Sequence, residues 1–85
     1  MSDIERRHAA VWGAIEAIAE RKGISVSRLA VLAGHDATAM NKSKRVQRGT
    51  LRWPSTHLIA CITDVAGISF ARFGRLVDQQ MRQQA

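Results

Sequence analysis

Five cations fall in a stretch of chain that holds no acid. Lys42, Lys44, Arg45, Arg48 and Arg52 all lie between Asp36 and Asp64. Ammonium and guanidinium groups at that density attract polyanions: nucleic acid, an anionic membrane or an acidic protein. The plain alternative is a solvated basic face. A second constellation is His57 and Cys61, four residues apart, which a helix would place on one face. That spacing suits two zinc ligands, or a thiol nucleophile and its base. A structural zinc site takes four protein ligands, and the other imidazoles, His8 and His35, are far along the chain. The expectation is no metal site, no cofactor and no enzymatic activity. Cys61, next to Ile62, reads as a buried thiol. The glycines are isolated, so no phosphate-cradling loop is expected.

The elements that hold these groups are bounded by a length of 85 residues. That allows one domain with one modest core, and it excludes a barrel enzyme or a cleft between lobes. Aromatic residues are only 5% of the chain and proline occurs once, a composition that favours helices over a sheet sandwich. With 13 Lys+Arg against 7 Asp+Glu, the net charge is +6. One cysteine excludes an internal disulfide. No apolar run approaches the roughly 20 residues of a membrane span. Asp3 and Glu5 precede Arg6 and Arg7, which leaves no signal-peptide core. A soluble, cytoplasmic chain without a membrane partner is expected.

Hydrophobic periodicity predicts an all-α fold of five helices. Ile4, His8, Val11, Ile15 and Ile18 recur at helical spacing, with Asp3 as the expected cap and Gly23 as the stop. Ser25 caps a short second helix, about 26–33, that ends at Gly34. Asp36 is placed to cap a third, about 37–43, anchored by Met40. Only three residues part these two helices, so they must cross steeply. Residues 46–54 contain Gly49 and Pro54 and read as a loop. A fourth helix runs from Ser55 or Thr56 to about Val65. A fifth follows Ser69 to about Arg82, with Phe70, Phe73, Leu76 and Val77 on its apolar side. The polar tail 79–85 is expected to fray.

The run Ser25-Val-Ser-Arg-Leu-Ala-Val-Leu-Ala-Gly34-His-Asp-Ala-Thr-Ala-Met40 resembles the helix-turn-helix of the lambda-repressor-like (Cro/CI, or XRE) family. Asn41-Lys42-Ser43-Lys44-Arg45, then Arg52-Trp53-Pro54-Ser55, is similar to the N-terminal domain of LexA/CI-like, phage-type repressors. The resemblance spans about 8–78, with the helix-turn-helix at about 26–44. His35 stands where the family has an aliphatic residue, and Val26 where it has glutamine. The peptidase domain of such repressors does not fit in this length. The chain is expected to be an excised N-terminal domain or a stand-alone regulator.

The resemblance implies sequence-specific binding of double-stranded DNA, with the third helix in the major groove. Ala37, Thr38, Asn41 and Lys42 would face the bases: Asn41 suits adenine, and Lys42 suits guanine O6 and N7. Ser27, Arg28, Lys44, Arg45, Arg48 and Arg52 would touch phosphate, which positions without specifying. Trp53 reads either as a lid over the core or as a DNA-facing ring, the lid being preferred. The expected partner is a palindromic operator bound by two copies, with weak self-contact through Arg72, Arg75, Leu76 and the tail of the fifth helix. The alternatives are a protein-interaction module such as an antitoxin, or a non-specific nucleic-acid binder.

Overall fold

A computed structural model describes residues 1–84. Helix α1 spans Asp3–Arg21. Its cap is Ser2 rather than Asp3: the Ser2 hydroxyl accepts from the Glu5 amide at 3.1 Å. The Glu5 carboxylate accepts from the Ser2 amide at 3.1 Å in return, closing a capping box. Helix α2, Val26–Leu32, starts at Ser25, whose hydroxyl accepts from the Arg28 amide. Gly34 then takes φ of 81°, a left-handed backbone that a side chain would resist. Helix α3, Thr56–Ala66, is capped by Ser55, and helix α4, Phe70–Gln83, by Ser69.

Among the described residues there are therefore four α-helices, not five, and the fold is not all-α. Where a third helix was expected, Ala37–Met40 forms turns, with the Ala39 amide donating to the Asp36 carbonyl and the Asn41 amide to the Thr38 carbonyl. Asn41 is extended, at φ −62° and ψ 147°, which stops any helix before the short 3-10 turn Lys42–Lys44. Thr38, Asn41 and Ser43 are poor helix formers, and the Asp36 carboxylate bonds the Thr38 amide and hydroxyl two residues on, a local turn that competes with a helix.

The expected loop holds a second correction. Strand β1, Val46–Gln47, pairs antiparallel with β2, Thr50–Leu51, in the register Val46 to Leu51 and Gln47 to Thr50. Arg48 and Gly49 link them with φ of 53° and 77°. Positive φ at both central residues is the mark of a type I′ turn, whose twist matches that of a hairpin.

The core forms where α1 meets the other elements. Trp12, Ile15, Ile18 and Ala19 of α1 pack with Leu29, Met40, Leu58, Ile62, Phe73 and Leu76. Helix α4 runs antiparallel to α1, because Gln80 lies against Gly13 and the Gln84 side-chain Nε2 donates to the Arg6 carbonyl. The apolar stripes are shorter than their sequence suggests. Ile4 and Phe70 are 56% and 55% exposed, and both sit in the first turn of their helices. Leu76 is buried, as its place on the apolar side predicts, and so is not free for the self-contact also expected of it. Residues 79–83, expected to fray, continue α4, while Ala85 of that tail lies outside the described residues. Among the described residues, no helix is long and apolar enough to cross a membrane.

Two side chains of α1 hold the hairpin by its feet. His8 Nε2 lies 3.0 Å from the Arg45 carbonyl and 2.9 Å from the Arg52 carbonyl. Two facing acceptors require the proton to be on that nitrogen. The Trp12 indole N–H, 3.2 Å from the same nitrogen, therefore donates to the Arg52 carbonyl at 3.0 Å. Replacing His8 with Ala strips a buried donor from both carbonyls. It should destabilise the chain by about 1–3 kcal/mol. In urea denaturation the midpoint should fall with the slope unchanged, and an unshifted midpoint would remove His8 from this role.

Candidate nucleic-acid interface

The segment that follows α2 begins with an acid that is already occupied. The Asp36 carboxylate accepts from the Thr38 amide at 2.8 Å and from the Thr38 hydroxyl at 2.7 Å. The same hydroxyl accepts from Lys44 Nζ at 2.9 Å. Thr38, expected to read a base, thus spends its hydroxyl proton on Asp36 and one lone pair on Lys44. Its methyl and the remaining lone pair are what it can offer a ligand. These bonds hold the Asp36 carboxyl below its ordinary range, chiefly the hydroxyl, then the amide, with Lys44 adding a little.

The expected phosphate contacts separate into two kinds. Arg45 points inward, and its side chain is only 12% exposed. Its guanidinium sits 4.9 Å from the Trp12 ring centroid, pairs with Glu16 at 3.3 Å and donates to the Met40 carbonyl at 3.0 Å. It braces the 3-10 turn against α1 and has little left for a phosphate. Its Nε is buried without a partner. Lys44, Arg48 and Arg52 are exposed. Arg52 donates to the Gln47 side-chain oxygen at 3.2 Å, which steadies it across the hairpin.

Two adjoining grooves bring these exposed cations together. One is lined by Lys44, Gln47, Arg52, Trp53 and Ser55, among others. The second is lined by Gln47, Arg48, Thr50 and Arg52. Gln47 and Arg52 belong to both, so Lys44 and Arg48 lie on one continuous surface. Ala37 and Lys42 are exposed and Asn41 is half-buried, yet none of the three lines either groove. Ser27 and Arg28 are exposed at the start of α2, apart from the two grooves. Trp53 is 44% exposed and meets the His8 ring edge-on at 5.2 Å, so one side is packed and the other open. A groove with exposed cations and a side-chain amide suits a phosphate chain.

Sequence distance concealed one assembly. His35, half-buried just after the α2 turn, comes to rest beside His57 and Cys61 of α3. The expectation that no further ligand could join that pair fails for His35. Only His8 stays remote, held on the hairpin feet.

Two outcomes test this geometry. Asp36 should titrate below the usual carboxylate range in an NMR pH series, and Thr38→Val should move it back up. A folded-state pKa below the unfolded one adds stability at pH above the ordinary carboxylate range, and that stability is lost as the pH falls through the lowered value. Arg45→Ala should destabilise the chain by about 1–3 kcal/mol, read as a lower urea midpoint, the behaviour of a buried brace and not of a phosphate contact. No protein-family model, curated protein or solved structure matches this chain.

Proposed function

We propose that this chain binds double-stranded DNA and regulates transcription. The carrying observation is the joined pair of grooves that gathers Lys44, Arg48 and Arg52 around Gln47. Asp36 is turned onto Thr38, whose hydroxyl accepts from Lys44 of the groove. The resemblance of residues 25–40 to the lambda-repressor-like helix-turn-helix supports the same reading. The helix expected to enter the groove is replaced by turns, so the reading element is the segment 37–44 with the hairpin beside it. Lys42, exposed on the 3-10 turn, reaches toward base edges. The hairpin cations grip phosphates. With Arg45 turned inward, the cations left for phosphate are Arg28, Lys44, Arg48 and Arg52, about four, which sets a log–log salt slope of about −3.6. Two copies on a palindrome would meet through α4, where exposed Phe70, not buried Leu76, is the apolar contact.

Selection from a random duplex library at about 0.15 M salt, where long-range attraction is screened, is the test. An enriched palindromic sequence is expected. Equal retention of unrelated duplexes would make the chain a non-specific binder. No retention would leave a basic protein-interaction module. Lys42→Ala should relax sequence preference at a cost of about 1–3 kcal/mol. Arg48→Ala should weaken all duplexes alike and flatten the salt slope by about one.

A further inference from the structure

We propose that His35, His57 and Cys61 form a zinc site that ties the turn after α2 to the start of α3. The three side chains come from two elements and offer two imidazole nitrogens and one thiol. Their ligand atoms all lie within 4.8 Å of one another. Cys61 Sγ is 3.7 Å from His57 Nε2. Bond lengths of about 2.3 Å for Zn–S and 2.05 Å for Zn–N at a tetrahedral angle put S and N about 3.6 Å apart. The helical pair is thus already at the spacing of two zinc ligands. The His35 and His57 rings are 5.4 Å apart between centroids and inclined at 56°, a tilted pair and not a stacked one. A pair at that 4.8 Å bound needs about 1.2–1.5 Å of side-chain movement to reach a tetrahedral edge. His57 is exposed and His35 half-buried, so both have room to make it.

The local backbone prepares the third ligand. The Gly34 amide donates to the Val31 carbonyl and the His35 amide to the Ala30 carbonyl, the paired bonds of a Schellman ending. This fixes where His35 leaves the helix. Among the described residues, no carboxylate pairs with His35, His57 or Cys61, so no internal ion pair competes for them. Two nitrogens and a thiolate match the borderline-soft preference of Zn²⁺ and are a poor set for Mg²⁺ or Ca²⁺. On binding, the Cys61 thiol gives its proton to solvent and the sulfur forms the Zn–S bond. Water takes the fourth position. The metal would join residues 35 and 57, which bracket the whole cationic segment. The site stands independently of the DNA-binding reading.

Cobalt(II), a coloured stand-in for zinc, tests the site on the full chain. One equivalent should bind and give a thiolate-to-cobalt charge-transfer band, and equimolar Zn²⁺ should bleach it. Cys61→Ser should abolish the band. His35→Ala, on the other element, should weaken cobalt binding by more than about tenfold, the upper range of losses that even outer-shell changes cause being higher still. Circular dichroism checks that each variant folds, and His57→Ala replaces either one that does not. No band from the wild-type chain at equimolar cobalt overturns the site. So does a band that His35→Ala leaves at full strength, because a single helix would then be binding the ion.

Discussion

Everything on the cationic side of this molecule hangs from two backbone carbonyls. The oxygens of Arg45 and Arg52 mark the feet of the hairpin, and α1 reaches both through His8 while Trp12 adds a second bond to Arg52. The Arg52 amide closes the base by donating to the Arg45 carbonyl at 2.9 Å. A two-stranded ribbon of two residues per strand cannot stand alone in water. Buried donors from a long helix supply what the short strands lack. The hairpin is an extension of α1 in energetic terms, although His8 and Arg45 are 37 residues apart in the chain.

The same helix divides the arginines by task. Trp12 presents its ring to the Arg45 guanidinium and Glu16 presents its carboxylate, so that one cation becomes internal structure. Arg48 and Arg52 are left outside on a scaffold that Arg45 helps to set. Arg48 sits at the hairpin tip with φ of 53°, a conformation in which glycine or asparagine is at ease and an arginine is strained.

Much of the helical framework was legible in the sequence. Ser25, Ser55 and Ser69 announce three helix starts, because each hydroxyl satisfies an otherwise orphaned amide. Gly23, Gly34 and Gly67 announce the stops. What could not be read came from contacts between distant residues. Ala37–Ser43 has a helical look until the Asp36 side chain takes the Thr38 amide and Asn41 turns extended. The hairpin hides because Arg-Gly is a weaker turn signal than Asn-Gly, and strands this short show no alternation. Within a basic run, Arg45 differs from Lys44 only in what α1 sets opposite it. His35 likewise gains its neighbours only when α2 crosses α3.

Anchoring a surface finger on a central helix has a mechanical result. Pulling on the hairpin loads the His8 and Trp12 bonds, and through Trp12 it loads the packed centre of the molecule. A ligand held at the fingertip would be coupled through those bonds to α1. Occupancy at the surface and cooperative melting of the interior become one linked equilibrium. A protease that cuts only when α1 unravels would then report what is bound at a hairpin it never touches.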